Sequence, residues 1–178
     1  MRSLLLAALL ALPLPALAEA PPAPPAGFQF YCRENDCRPS GAASVPYTKK
    51  VMADISKVSA DLNEAIRYVP DKVSQWKVAT TSGDCEDIAM AKRKALIKMG
   101  YPVSALRPAT GWTSGNKNPR ACSLEEQKEG KCIKHAVLVV VTSKGKFVLD
   151  NRTDEVLPLK KAKIRIEKMA SADPMIWG

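Results

Sequence analysis

The sequence of 178 residues is 46% hydrophobic and 25% charged, the composition of one ordinary globular domain, which excludes a fibrous or low-complexity chain. It is basic, with a formal charge of +9, but the lysines are scattered and no aromatic residues interleave with them as a nucleic-acid platform requires. No nucleic acid is therefore expected as a partner, and the charge speaks only to encounter with acidic substrates or anionic envelope surfaces.

In chain order, Met1-Arg2-Ser3 is a short basic start, and Leu4 to Leu17 is an almost unbroken apolar run closing on Ala16-Leu17-Ala18. This pattern predicts a signal peptide over residues 1–18, cleaved after Ala18, and hence a periplasmic or secreted protein. The run is short for a bilayer span and holds Pro13 and Pro15, and no second segment could cross a membrane, so no stable membrane insertion is expected. Loss of Arg2 takes the formal charge from +9 to +8. Glu19 to Ala26 is Glu-Ala-Pro-Pro-Ala-Pro-Pro-Ala, which reads as an extended polyproline-like tether. With the Cys32 to Cys37 loop it fills residues 19–46 and leaves 47–178 as a single folded domain.

Export changes how five cysteines are read, because thiols pair in an oxidising compartment. Cys32 and Cys37 close one short loop, and Cys122 and Cys132 close another. Those two disulfides leave Cys85 unpaired, as a reactive thiol, an intermolecular partner or an inert buried side chain. A zinc site is disfavoured, since such sites want paired Cys or Cys/His ligands at close spacing and the chain has a single histidine.

Apolar residues at Val51, Ile55, Val58, Leu62, Ile66 and Val69 recur at steps of three and four, which predicts a helix from about Lys50 that ends at Pro70. A second helix is expected to begin at Cys85, with Asp84, Glu86 and Asp87 at its first turn and Gly100 and Pro102 at its stop. After a short strand near Val103 to Leu106, residues Thr110 to Lys134 read as a disulfide-tied excursion. His135 to Val141 is a buried strand by its β-branched content, and a turn at Lys144-Gly145 leads into Phe147 to Asp150. A basic stretch from Lys160 to Lys168 and the ending Asp173 to Trp177 finish the chain. Helices first and strands after point to an α+β fold.

Thiol chemistry requires thiolate, which a helix N terminus and a neighbouring imidazolium favour and flanking acids oppose. Cys85 is the candidate nucleophile, His135 the only candidate base, and an acid on the next strand would fix the ring. With a turn at Lys144-Gly145 the residue opposite His135 is Asp154; a turn near Thr142-Ser143 or a bulge would bring Asp150 there instead. Strand pattern leaves both open. Trp76, Trp112 and Trp177 could line a cleft but receive no role.

Three pieces carry a resemblance that reaches from about Tyr47 to the C terminus: Gly83-Asp84-Cys85-Glu86-Asp87 before an Ala-rich helix, His135-Ala136-Val137-Leu138, and Val148-Leu149-Asp150-Asn151. The first is the most specific. On these the sequence resembles the bacterial transglutaminase-like cysteine proteinases. The resemblance implies a papain-like or transglutaminase-like fold, with the cysteine at the N terminus of a central helix packed on an antiparallel sheet. It also implies a triad of Cys85, His135 and Asp150, selecting Asp150 over Asp154.

That family includes a periplasmic protease that clips large biofilm adhesins from the cell surface and uses calcium held by acids beside its cysteine. The matching residues are Asp84 and Glu86. By resemblance, then, the substrate is a protein or peptide such as a cell-surface adhesin, the chemistry itself requires no cofactor, and Ca2+ is a candidate ligand. An inhibitory membrane-protein partner is a further implication. The longer stretch between Cys85 and His135 implies a different substrate groove. The expected activity is cysteine endopeptidase. Its rivals are acyl transfer to an amine, as in transglutaminases, and a non-catalytic module that binds an envelope protein.

Overall fold

The computed structural model describes residues 22–35, 37–115 and 120–178; the expected signal peptide lies outside these described residues. The elements are α1 (Ala26–Glu34), α2 (Lys49–Ala65), β1 (Arg67–Tyr68), β2 (Ser82–Gly83), α3 (Cys85–Lys98), β3 (Leu106–Thr113), α4 (Leu124–Lys128), β4 (Ile133–Thr142), β5 (Gly145–Leu149), β6 (Leu157–Pro158) and β7 (Arg165–Met169). The fold is α+β. Strands β6-β5-β4-β3-β7 form an antiparallel sheet in that order, and β1 and β2 make a two-residue parallel pair.

Helix α2 starts where Thr48 caps it, its hydroxyl accepting from Val51 N at 3.1 Å, and it buries Ile55, Val58 and Ser59. Helix α3 is capped by Asp84 and stops at Gly100, whose φ of 90° suits glycine and few other residues. Both helices bury their apolar sides against Leu106, Ala136, Leu138, Val140 and Leu149 of the sheet. On strand β4 the alternate residues Val137 and Val139 join a second cluster with Ala109, Val148 and Ile164 on the other face. A strand buried on both faces reads as a continuous apolar run, which is why β4 was legible.

Helix α2 ends at Ala65, short of the expected stop at Pro70, because the extended Ile66 leads into β1 at Arg67–Tyr68, and four further segments differ from the sequence expectation. Where a tether and loop were expected, α1 stands, and Phe28 packs on Trp76 and Trp177 with ring centroids 5.3 Å away in each case. Pro24 is buried and Pro22 O accepts from Trp177 N at 3.3 Å, so the proline-rich segment lies against the C terminus. Nothing in the local pattern announces α1, because its partners sit about 50 and 150 positions downstream.

The second difference is β3, an eight-residue strand inside the sheet: of the expected Val103 to Leu106 only Leu106 belongs to it, Val103–Ala105 forming a 3-10 turn, and Thr110 to Thr113 belong to it and not to the excursion. Pro108 and Gly111 hid it. Pairing with β7 begins only at Ala109, so the missing N–H of Pro108 breaks no bond on that side. A Cβ on Gly111 would lie 2.3 Å from Arg165 O, at the register shift between β3 and β7. Third, the basic stretch contains β7, an edge strand with mixed burial.

Fourth, the hairpin turns one residue early. Thr142 pairs with Gly145, so Ser143 and Lys144 form the loop. Extended beyond Leu138↔Leu149, that register sets Asp150 beside Val137, on the same side of the strand as His135 and one pair away.

Candidate active site

Each residue of the Gly83 to Asp87 motif has a visible physical task. A Cβ on Gly83 would come within 2.7 Å of Asp87 Cβ, so the backbone passes too close for any larger residue. Asp84 caps α3 through a 3.4 Å bond from Asp87 N. Asp87 is buried and accepts from Lys77 N at 3.0 Å, with Lys77 Nζ at 3.2 Å, which pins the segment before Ala79 to the helix. Glu86 reaches the thiol: Cys85 Sγ donates to Oε2 at 3.1 Å, and Ser74 Oγ donates to Oε1 at 2.6 Å.

Cys85 opens α3 and is the only free cysteine, the others forming Cys32–Cys37 and Cys122–Cys132. Its sulfur accepts the N–H of Ala136 at 3.4 Å, next in the chain to His135. Burial pushes the thiol pKa well up, Glu86 adds to the rise by charge and hydrogen bond, and the Ala136 N–H opposes it. Asp84 is carried up to about 7 by burial and by the charges of Glu86 and Asp87. Among the described residues neither Asp84 nor Glu86 has a lysine or arginine at ion-pair distance. Ligand atoms of Asp84, Cys85 and Glu86 lie within 4.8 Å of one another. Two buried carboxylates with uncompensated charge offer the hard oxygen donors calcium takes, whereas the thiol is no calcium ligand, so this pair fits Ca2+ as part of a larger donor set.

The other half of the site is balanced. His135 Nε2 lies 2.9 Å from Asp150 Oδ1, and both side chains are buried. Burial works to raise the Asp150 pKa, but hydrogen bonds and charge from His135 and Arg152 outweigh it and hold the carboxyl well below the usual carboxylate range. An ionised carboxylate only accepts, so the ring proton sits on Nε2, leaving Nδ1 as the unprotonated nitrogen of the neutral ring. Asp154 does not meet His135; its Oδ1 accepts from Asn63 Nδ2 at 2.9 Å near the surface.

Several partners carry no signal in the sequence reading. Arg152 Nη2 reaches Asp150 Oδ2 at 2.6 Å and its Nη1 donates to Thr113 Oγ1 at 2.8 Å. Arg152 N also donates to Asp150 Oδ1 at 3.0 Å, an Asx-type turn that Asp-Asn-Arg at a strand end could have suggested. Behind them, Lys92 Nζ and Asn63 Nδ2 both donate to the Asp150 carbonyl at 3.1 Å. Burial brings Lys92 down to about 8 against the raising charges of Asp150 and Asp154.

Cys85, Glu86, His135 and Ala136 line one cavity of about 280 Å³, with Trp76, Ser74 and Pro25 among its walls. Trp76 thus serves both the core and this cavity, Trp177 is core, and Trp112 is half-buried with Lys134 Nζ 5.2 Å from its ring centroid.

A central helix opening on a free cysteine and packed on an antiparallel sheet defines a transglutaminase-like fold. The chain belongs to the bacterial transglutaminase-like cysteine proteinases (BTLCP), whose family model matches residues 19–178. Solved structures of LapG from Legionella pneumophila are similar in part. The calcium-bound form gives a TM-score of 0.48 at 18% identity over 68% of this chain and 66% of LapG. A second LapG structure gives 0.48 at 21% over 68% and 64%, and the EGTA-treated form 0.45 at 19% over 67% and 62%. The matched part is thus less than two thirds of the LapG chain. No curated protein matches the sequence.

Proposed function

We propose that this chain is an exported endopeptidase that cuts protein substrates in the periplasm or at the cell surface by a Cys85-His135-Asp150 thiol mechanism. One observation carries it: the free sulfur sits at the start of a helix, in one cavity with an imidazole whose Nε2 is held by a buried, ionised acid. Nδ1 of His135 takes the Cys85 proton, and the thiolate attacks a backbone carbonyl. Helix N–H groups at Cys85 and Glu86, which have no intrahelical partners, face the developing oxyanion. His135 then protonates the leaving amine, Asp150 keeps the ring oriented, and water releases the acyl group.

Two disulfides are in keeping with an oxidising compartment. Among the described residues no helix is long and apolar enough to cross a membrane. Asp84 and Glu86 would hold calcium, which supplies positive charge beside the thiol and offsets the acids that raise its pKa. A cell-surface adhesin fits as substrate through the family resemblance.

Surface and secreted proteins compared between wild-type and Cys85→Ala cells test this. A substrate intact only in the mutant, and a wild-type product ending in a free carboxylate, are the expected results; the free carboxylate separates hydrolysis from acyl transfer. Identical processing in both strains, with the mutant folded, refutes the assignment.

A further inference from the structure

Helix α3 carries a second ionisable group that the proposed chemistry leaves unused. Lys92 lies about two turns beyond Cys85 and is 0% exposed. Lysine is almost never fully buried unless paired. Among the described residues Lys92 has no carboxylate within ion-pair distance. Its ammonium donates instead to Ser59 Oγ of α2 at 3.2 Å and to the carbonyl oxygen of Asp150 at 3.1 Å. The charges that face it belong to Asp150 and Asp154.

Burying an ammonium is costly, and an apolar chain of the same length would fill that space without the penalty. Stability therefore gives little reason for a lysine here. The carbonyl it grips does, because it belongs to the residue whose carboxylate holds His135. Asn63 Nδ2 grips the same oxygen at 3.1 Å and the Thr153 carbonyl at 3.0 Å, so the main chain leaving β5 is held from α2 and α3 together.

Resting on the peptidase reading above, we infer that Lys92 is a positioning residue of the active site, fixing the main chain at Asp150 from the same helix that carries Cys85. The sulfur and the acid–imidazole pair are thereby referred to one rigid element. Displacement of the acid by about 1 Å is enough to lower reactivity by roughly a hundredfold, so loosening this grip shows in the chemistry before it shows in the fold.

Lys92→Met tests it, since it removes the donor while keeping an unbranched chain. Two probes need no substrate. His135 is the only histidine, so its ring nitrogens give one set of NMR signals, and iodoacetamide at neutral pH and fixed calcium reads the reactivity of Cys85, the only free thiol. The expected variant unfolds at or above the wild-type temperature, shows a displaced or exchange-broadened Nε2–H signal, and labels about tenfold more slowly or worse. A folded variant with unchanged ring signals and labelling overturns the proposal, and so does loss of fold and reactivity together, which makes Lys92 structural. Ring spectra of Lys92→Met in a Cys85→Ala background decide the positioning role without Cys85 chemistry, so failure here is distinct from failure of the peptidase reading.

Discussion

The two halves of the site treat their acids oppositely. On the histidine side, Asp150 has His135 and Arg152 on its carboxylate and Lys92 and Asn63 on its carbonyl, and the carboxyl stays ionised though buried. On the cysteine side, Asp84 and Glu86 are as buried but have no cationic side chain at ion-pair distance among the described residues, and their charge works against the thiolate. One half is complete in protein alone. The other is arranged as if a cation completed it, so ring geometry should be independent of calcium and thiol reactivity should not.

The largest effect is expected from breaking the balanced half. Asp150→Asn leaves the imidazole without a charged acceptor and Arg152 without its partner, and peptidase turnover should fall on the order of a thousandfold or more. A drop of less than tenfold would mean that charge at Asp150 is not what supports His135.

A smaller effect sharpens the unbalanced half through pH. Asp84, raised to about 7 from an ordinary 3.8, binds its proton more tightly folded than unfolded. Its contribution is fully present below about pH 4 and is lost as pH rises through 7. Asp150 has the opposite sign: its contribution is present above about pH 4 and is lost as the pH falls below that. In EGTA the unfolding temperature should therefore decline between pH 5 and 8, by about 2–4 °C for each kcal/mol lost. Calcium or Asp84→Asn, which keeps a capping side chain, should flatten the decline. An equal slope with and without calcium would remove the ion from Asp84.

What the sequence discloses follows the range of the interactions involved. Helices α2 and α3 were legible because a stripe of apolar residues faces the sheet at helical spacing; Asp84 and Gly100 mark the ends of α3, whereas the apolar steps through Ile66 and Val69 carried α2 past its end at Ala65. Short loops made the two disulfides legible, and the free thiol followed by elimination. Strand pattern could not choose between Asp150 and Asp154, because the observed register, extended past Leu138↔Leu149, meets His135 with Arg152 and leaves the two acids equally distant along the strand; the resemblance chose Asp150, and it is Asp150 that lies beside His135. Helix α1 was missed because its ring partners Trp76 and Trp177 come from distant positions. Strand β3 was missed because Pro108 and Gly111, ordinarily strand breakers, sit where the β7 partner is absent or shifted. Lys92 was only one of many scattered lysines and Arg152 carried no signal, and only the fold shows that they close on Asp150.

The most direct test of Cys85 and His135 as a nucleophile and its base is the pH dependence of Cys85 alkylation, measured with calcium present in the wild type and in His135→Ala. The wild type should label at pH 6 to 7 at least about tenfold faster than a free thiol of ordinary pKa, and His135→Ala should lose that advantage while remaining folded. Wild-type protein that labels only as the pH passes 8.5 and beyond, with a profile the histidine substitution leaves unmoved, would contradict the account.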